Sequence, residues 1–349
     1  MSDTVNDGSS ASPRVRSSAR RVLLGRDAGT VYALVLIVIL ASIFVQYFAS
    51  VTTISFLLID AIPILLMARP MALIIITGEI DLSVASTAGL SAAVMGVLWH
   101  DQHWSMIAVV LACAVVGVLC GVINGVLITK IGLPSLAVTI GTLALFRGLA
   151  LVVIGDNAVA DFPVALTTWA TSSIGETGIP TVMIIVAVVV VIFGVLLHFT
   201  PFGRGLFALG FSKEAADFVG IRVQRSKLLL YVASGLVSSL AGVFWVLRYS
   251  SAQSDSVQGL ELSVVAAVLL GGVSIFGGSG GIVGVVAGVL LIRTVEYALQ
   301  LAGLPDTVLT IVTGALLIVS VIAPSASEWI SRTVALRRNR AHLHDATAP

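Results

Sequence analysis

Charged residues are scarce in this sequence. Only 11% of its 349 residues are Asp, Glu, Lys or Arg, whereas 58% are hydrophobic. Soluble domains carry about 25% charged residues, and a water-soluble fold cannot cover so much apolar surface. The many apolar runs of about 20 residues match membrane-spanning helices rather than barrel strands. The composition therefore excludes a soluble globular protein, and the net charge of +1 gives no indication of nucleic-acid binding.

Cysteine pairs and nucleotide-binding motifs are also lacking. Cys113 and Cys120 lie on one face of the same apolar run, so they are interpreted as small core residues rather than a disulfide or a metal site. A phosphate-binding loop needs Gly-x-x-x-x-Gly-Lys-Ser/Thr, but Phe211 follows Gly210 where Lys is required. The GGSGG stretch at 277–281 lacks the strand–helix context of a serine hydrolase and is predicted to be a tight inner turn. The sequence therefore predicts no enzyme, no ATP site and no cofactor.

Apolar runs follow one another along the chain, and each is predicted to form one membrane-spanning helix. Residues 1–30 are polar and Arg-rich without the pattern of a cleaved signal, so they are predicted to be a disordered cytoplasmic tail. Residues 31–323 form the predicted all-α membrane domain, and 324–349 a second cytoplasmic tail. The runs lie at 31–49, 52–68, 71–98, 106–129, 134–154, 181–199, 227–248, 261–276, 281–298 and 306–323.

The basic residues indicate how these ten predicted helices are oriented. With the N-terminus in the cytoplasm, 16 of the 19 Lys and Arg residues fall in inside segments, among them Arg69 between the second and third runs. The other three, Arg147, Arg248 and Arg293, lie within runs or at their ends. The outside loops contain none. Because cytoplasmic loops are enriched in Lys and Arg, this bias predicts ten spans with both termini inside.

An internal repeat accompanies the helices. GLPSLAVTIGTLAL at 132–145 and GLPDTVLTIVTGAL at 303–316 agree at eight of 14 positions. A weaker similarity pairs DLSV at Asp81 with ELSV at Glu261. Five predicted helices separate the members of each pair, so the second copy is upside down. Since inverted repeats are typical of transporters, the predicted fold is about ten membrane helices in a 5+5 inverted repeat.

The longest predicted cytoplasmic loop, residues 200–227, contains the pattern of a short helix. Ser212 can cap it, Glu214 lies in its first turn where the helix dipole favours an acid, and Gly220 is a natural stop. A helix this short is marginal in water alone, so we expect it to dock into a groove of a partner. The predicted contact residues are Gly210, Ser212, Glu214, Ala215, Ala216 and Gly220.

Two acids interrupt the apolar stretch ITGEIDLSVAS at 76–86. The preceding Thr-Gly weakens a helix, and Asp81 or Ser83 can cap a new one. Asp81 is therefore interpreted mainly as a cap in a broken third helix, with a role in lining the path or gate as the alternative. Glu79 has no such capping geometry and is expected to face the protein interior or a watery cavity. A proton relay is a further alternative.

Charged residues on other helices receive similar interpretations. Arg147 is expected to snorkel, to pair with an acid or to face a vestibule, and Arg293 and Glu296 are spaced for a local ion pair. The predicted candidates for the path or gate are Glu79, Asp81, Ser83, Arg147 and Glu261.

Four sequence blocks occur in a characteristic order: TGEIDLSVAS (77–86), GLPSLAVTIGTLALFRGLAL (132–151), FGRGLFALGFSKEAADFVGI (202–221) and AAVLLGGVSIFGGSGG (266–281). Together they resemble the permeases of bacterial ABC sugar importers, the group that includes ribose, rhamnose and autoinducer uptake systems. The rhamnose-type permeases look nearest, and the likeness covers about residues 50–323. Family members often have Asn where Ser212 stands and Gly where Glu79 stands; the second difference bears on the substrate, not on the fold.

This resemblance implies a permease subunit of the bacterial inner membrane that carries out no covalent chemistry itself. In such importers an extracytoplasmic sugar-binding protein delivers the sugar, two ABC ATPase subunits drive alternating access through coupling helices, and two permease subunits, identical or different, form the path. The acidic loop 155–180 either helps to receive the binding protein or is merely solvated. From the residues alone, an ion-gradient-driven secondary transporter of a small polar solute is the alternative, because it too has inverted repeats and broken helices.

Overall fold

The structure, a computed structural model, describes residues 28–305 and 307–322. Within these residues all the longer regular elements are α-helices, accompanied by isolated β-bridges between Val159 and Ala252 and between Ser173 and Pro180. The predicted C-terminal tail and residues 1–27 of the predicted N-terminal tail lie outside the described part. The all-α prediction is therefore confirmed for the membrane domain.

The helices of the described chain are numbered here in order. They are α1 (Ala28–Phe44), α2 (Val51–Ile76), α3 (Val84–His100), α4 (Met106–Thr129), α5 (Ser135–Ile154), α6 (Val164–Thr171), α7 (Met183–Phe199), α8 (Pro201–Phe211), α9 (Lys213–Phe218), α10 (Val223–Tyr249), α11 (Leu260–Leu270), α12 (Ile282–Leu301) and α13 (Thr307–Ile322).

Length and hydropathy mark several of these helices as membrane spans. Helices α2, α4, α5, α10 and α12 are long and apolar enough to cross a bilayer, and the α7–α8 pair, bent by 68°, gives a sixth if counted as one span. Four shorter apolar helices, α1, α3, α11 and α13, accompany them. Large apolar side chains such as Ile107 (77% exposed) and Val152 (80% exposed) point away from the protein interior. The chain is thus a polytopic membrane protein.

The boundary between the second and third predicted helices was wrong. Helix α2 continues through Pro70 to Ile76, although the second run was predicted to end at residue 68. Arg69, predicted in an inside loop, is fully buried in this helix. Its Nε donates to the Leu65 carbonyl at 3.1 Å and its Nη1 to the Ile282 carbonyl at 3.1 Å. An Arg-Pro pair normally indicates a helix boundary, but here backbone carbonyls accept from two nitrogens of the buried guanidinium, while its Nη2 has no hydrogen-bond partner in the described chain.

Other boundaries differ by smaller amounts. Helix α1 begins three residues earlier than predicted, whereas the run 261–276 is helical only to Leu270, since Gly271 and Gly272 follow in a turn. The loop predicted at 200–227 is shortened by the earlier start of α10, and it contains α8, which was not predicted. Helix α6 in the loop 155–180 was also missed. The run 106–129 coincides with α4, on which both cysteines are buried and unpaired as predicted.

Helix α2 lies at the centre of the bundle. Its residues from Ala61 to Ile76 are all buried, and it contacts α7, α8, α10, α11 and α12. A helix that is apolar on every side is stable only when other helices surround it. Helix α10 shares this central position through its contacts with α2, α3 and α4.

Helices α4 and α10 approach so closely that only glycine fits at the contact. A Cβ atom on Gly117 would lie 2.4 Å from the carbonyl oxygen of Gly235, and one on Gly121 would lie 2.4 Å from that of Tyr231. Small residues spaced four apart let helix backbones meet directly inside membranes. The backbone of α4 therefore rests on that of α10 without an intervening layer of side chains.

We predict that Gly117→Ala destabilises the protein by about 1–3 kcal/mol, because its methyl group has no space against α10. Gly141→Ala is the matched control, since no atom lies within 4 Å of a Cβ at this position of α5. The control should be neutral or slightly stabilising, because Ala is a better helix former than Gly. Thermal unfolding of the detergent-solubilised protein measures both, and equal melting temperatures for the two variants would contradict the prediction.

Candidate functional site

Residues 77–83 separate α2 from α3 and lie against the first half of α10. The chain turns at Gly78, whose φ of +78° favours glycine. The Glu79 carboxylate forms an ion pair with Lys227, the side chains being 18% and 9% exposed. Both line a cavity of about 400 Å³ at this end of the bundle. Glu79 thus meets the expectation of facing a cavity, and a basic partner on α10 neutralises it.

Ile80 ties the same segment to neighbouring helices through its backbone. Its N–H donates to the Ser135 hydroxyl at 3.3 Å, and its carbonyl accepts the hydroxyls of Thr139 at 3.3 Å and Tyr231 at 3.5 Å. These groups belong to α5 and α10. Side chains from two helices therefore replace the hydrogen bonds that a continuous helix would have formed.

The carboxylate of Asp81 lies at the centre of a buried polar network. Its Oδ1 accepts the N–H of Ser83 at 3.1 Å and the hydroxyl of Ser83 at 2.6 Å, and its Oδ2 accepts the hydroxyl of Ser234 at 2.8 Å. Asn124 in turn donates to the Ser83 hydroxyl at 2.7 Å. Asp81 is 2% exposed, and its hydrogen bonds in the described chain come from these hydroxyl and amide donors. The network joins α3, α4 and α10.

This arrangement changes two details of the sequence interpretation. The break lies between α2 and α3 rather than inside a third helix. Ser83 occupies the N-cap position, but its hydroxyl makes no capping hydrogen bond to the first turn. Asp81 instead accepts the N–H of Ser83, the N-cap residue that directly precedes the helix. Its local role is therefore to close the turn that leads into α3.

Helix α9 has the predicted start and stop. The Ser212 hydroxyl accepts the N–H of Ala215 at 3.1 Å, and Gly220 follows the helix with a φ of +85°. The pKa of Glu214 is held below its usual value by its own backbone N–H and by the hydroxyl of Ser212. Ala216 is buried against Leu209, Ile221 and Val223. The capped short helix predicted at this position is confirmed.

The outward surface of α9 carries exposed apolar side chains together with the exposed charged residues Lys213, Glu214 and Asp217. Phe218 is 93% exposed, Phe211 just before the helix is 79% exposed, and Ala215 is also exposed. Apolar side chains exposed together on a surface are typical of a docking site. Of the predicted contact set, Glu214, Ala215 and Gly220 are exposed, Gly210 and Ser212 are half-buried, and Ala216 is buried; Phe211 and Phe218 were not predicted.

Gly210 connects this segment to the break after α2. A Cβ atom on Gly210 would lie 2.0 Å from the carbonyl oxygen of Ile76 and 2.3 Å from the backbone nitrogen of Gly278. Gly278 in turn donates its N–H to the same Ile76 carbonyl at 2.9 Å. The end of α2, the turn between α11 and α12 and the end of α8 therefore meet backbone to backbone, and a side chain at 210 would separate them. This turn lies where the GGSGG stretch predicted one.

The two remaining path candidates form an ion pair. The Nη2 of Arg147 on α5 lies 3.3 Å from Oε1 of Glu261 on α11, and their side chains are 30% and 13% exposed. Glu261 also accepts the N–H of Gly259 at 3.0 Å. Of the open interpretations for Arg147, the pairing with an acid is the one observed. The predicted Arg293–Glu296 pair is present too, with a separation of 2.7 Å. The five candidates thus fall into two groups on different helices.

A cavity of about 230 Å³, which was not predicted from the sequence, lies near the start of α2 and the end of α10. Asp60, a single acid in the apolar run of α2, lies on its wall with Arg248 of α10, 3.2 Å away. An acid inside a membrane helix is costly unless paired, so Asp60 carried a signal that could have been followed. The lining residues are Ile59, Asp60, Pro63, Trp245, Arg248, Tyr249, Leu260, Arg293, Glu296, Tyr297, Gln300 and Leu309.

Most of the chain matches a known family of transport proteins. Residues 53–321 match the family described as "Branched-chain amino acid transport system / permease component". The chain belongs to this permease family. Its description names a transport component rather than an enzyme, and the resemblance to import permeases drawn from four sequence blocks is confirmed at the level of the family.

Individual relatives agree with this membership. The permease is 37% identical over 286 residues to the autoinducer 2 import system permease protein LsrD of Escherichia coli K12, covering 78% of this chain and 86% of the relative. The LsrD proteins of Shigella flexneri and Escherichia coli O157:H7 match with the same identity and coverage. No solved structure matches the permease. A closer likeness to rhamnose-type permeases stays a prediction.

We predict that Asp81→Asn retains most of the folded permease, whereas Asp81→Ala lowers stability. Asn keeps an oxygen that can accept from Ser83, while Ala leaves buried donors of Ser83 and Ser234 without their acceptor, which costs about 1–3 kcal/mol. Thermal unfolding and transport assays of both variants check this. If charge in the path were the main role, both variants would lose transport equally while melting like the wild type.

Proposed function

We propose that the permease is the membrane subunit of an ABC importer that moves a sugar-like solute inward across the bacterial cytoplasmic membrane. The α8–α9 segment, which exposes Phe211 and Phe218 and contacts the end of α2 through Gly210, is the observation that carries this proposal. It supplies a docking surface and a route from that surface to the buried helix break. The proposed partners are two ABC ATPase subunits, an extracytoplasmic sugar-binding protein and a second permease subunit.

In the proposed mechanism, ATP-driven closure of the ATPase subunits shifts α9, and α8 carries the displacement to Ile76 and Gly278. Both residues adjoin non-helical backbone: the break 77–83 on one side and the turn between α11 and α12 on the other. Backbone atoms in direct contact transmit a displacement without absorbing it in side-chain rotation. The permease would then alternate between outward- and inward-open forms, with the ion pairs of Glu79 and Arg147 at the elements that shift.

The proposal includes ten spans, arranged as a 5+5 inverted repeat with both termini in the cytoplasm. The five long helices, the α7–α8 pair and the four shorter apolar helices supply that number. Gly132 and Gly303, the first residues of the two Gly-Leu-Pro copies, have the same φ of +82°, and α5 and α13 follow them. Equivalent turns ahead of equivalent helices support an internal repeat.

The proposed solute is a neutral, sugar-like molecule. The relatives described above are named for the import of autoinducer 2, and the sequence blocks resemble ribose- and rhamnose-type permeases. Autoinducer 2, D-ribose and L-rhamnose are therefore the three solutes to test first. An ion-gradient-driven transporter would not require the α9 docking surface, so dependence on an ATPase separates the two classes.

The first test of this function uses Ala215→Glu, with Ala160→Glu as the matched control at an exposed position in the loop after α5. A charge buried in a packed interface costs about 2–4 kcal/mol, so ATPase co-purification and uptake of the radiolabelled solute should fall together. The control should retain ATPase co-purification. Uptake that survives Ala215→Glu, needs no ATPase and stops with an uncoupler at constant ATP would establish a secondary transporter instead.

A second test concerns orientation. Ala165→Cys lies in the loop proposed to be outside and Lys213→Cys at the start of α9, proposed to be inside; both parent residues are exposed. A membrane-impermeant thiol reagent should label position 165 in intact cells and reach position 213 only after permeabilisation. The native cysteines are buried, so they contribute little background. Labelling of position 213 in sealed cells would contradict the ten-span topology.

A further inference from the structure

We propose that the cavity of about 230 Å³ between α2, α10, α11, α12 and α13 is a binding subsite for a neutral, polyhydroxylated small molecule. This inference rests on the proposed function and deepens it, because it places a solute site in the permease itself. The cavity lies at the end of the bundle opposite the α8–α9 segment, since Tyr249 ends α10 and Leu260 begins α11 there. That end is the proposed outer one.

The chemistry of the lining suits a sugar. Trp245 and Tyr249 form an aromatic pair with ring centroids 4.5 Å apart, and Tyr297 also lines the cavity. Aromatic rings offer apolar faces to the C–H surface of a sugar ring and polar groups at their edges. The carboxylates of Asp60 and Glu296 are hydrogen-bond acceptors, and the neighbouring guanidinium groups are donors. A few polar groups among apolar walls are typical of small-molecule sites.

The charges in the cavity balance. Arg248 Nε lies 3.2 Å from Asp60 Oδ1, and Arg293 Nη1 lies 2.7 Å from Glu296 Oε2. Two cations and two anions leave no net charge to attract an ion of either sign. This balance favours a neutral polar solute and disfavours a phosphorylated one.

Several polar groups in the lining have no partner within the described chain. The Nε of Arg293 is buried and donates to no acceptor there. The side chains of Trp245, Tyr297 and Gln300 also make no hydrogen bond to another described residue. The Arg248–Asp60 pair connects α10 with α2, and the Arg293–Glu296 pair lies within α12; neither pair uses these donors. Buried donors are normally satisfied, so a polar molecule that enters the cavity would supply an acceptor to Arg293 Nε.

The size of the cavity limits the ligand. Pockets for drug-sized molecules measure about 300–1,000 Å³, whereas this one holds about 230 Å³. A pentose- or hexose-sized molecule is therefore the upper limit for a single occupant.

The test compares Tyr297→Phe and Gln300→Ala with Tyr47→Phe, whose parent residue is 73% exposed and does not line the cavity. The first two remove polar groups that make no hydrogen bond to the described chain, so folding should be unaffected. Equilibrium binding of radiolabelled autoinducer 2, D-ribose and L-rhamnose is measured on the purified full-length permease in lipid nanodiscs. At least one should bind saturably in the millimolar range. Each cavity variant should weaken binding roughly fivefold, the factor for one neutral hydrogen bond, and the control should not.

Competition with D-ribose 5-phosphate tests whether the balanced charges of the cavity disfavour an anion. This phosphorylated sugar should fail to displace the bound solute. Saturable binding that is unchanged in both cavity variants, or absent for all three solutes, would overturn the inference. Failure of the proposed function has a different outcome, because ATPase-dependent uptake is measured separately. A permease with intact uptake but no binding of its own loses only the subsite, whereas binding without ATPase dependence retains the subsite and loses the ABC assignment.

Discussion

Backbone hydrogen bonding inside an apolar bundle is the constraint on which the rest of this permease depends. Lipid offers no partner to a free N–H or C=O group, so each interruption of a helix at membrane depth must be satisfied by protein. The break after α2 meets this requirement with the carbonyl of Ile76 bonded to Gly278 and the backbone of Ile80 bonded to side chains of α5 and α10. The two acids of this stretch are also satisfied by protein groups, since Asp81 accepts hydrogen bonds that close a turn and Glu79 is neutralised by Lys227.

The regions proposed for docking and for solute binding lie at opposite ends of the bundle. At one end, the segment that carries α9 touches the break through glycine, so an exposed surface and a buried polar network are one contact apart. At the other end, paired charges and aromatic rings surround a small cavity. A transporter needs an energy input and a solute site that are separated but connected, and the central helices α2 and α10 run between these two regions.

Much of this organisation could be predicted from the sequence because it follows from local patterns. Composition alone required a membrane protein, and the cap of α9 followed from Ser212 and Gly220 at the correct spacing. Arg69 could not be placed in this way, because its burial depends on carbonyls of distant residues such as Ile282. The partnership of Asp60 with Arg248 is likewise a tertiary property, as is that of Arg147 with Glu261. The sequence indicates which residues are unusual for an apolar helix, whereas the packing of the helices determines which groups each of them contacts.

The contact between α4 and α10 has a mechanical consequence. A Cβ on Gly235 would lie only 2.1 Å from the carbonyl oxygen of Gly117, so the two backbones are in direct contact there. A two-state switch requires alternative arrangements of comparable energy, and a close backbone contact offers fewer of them than a layer of side chains does. We therefore expect helices α4 and α10 to move together as one rigid body. The relative movements that the proposed transport needs would then occur at interfaces formed by side chains rather than by backbones.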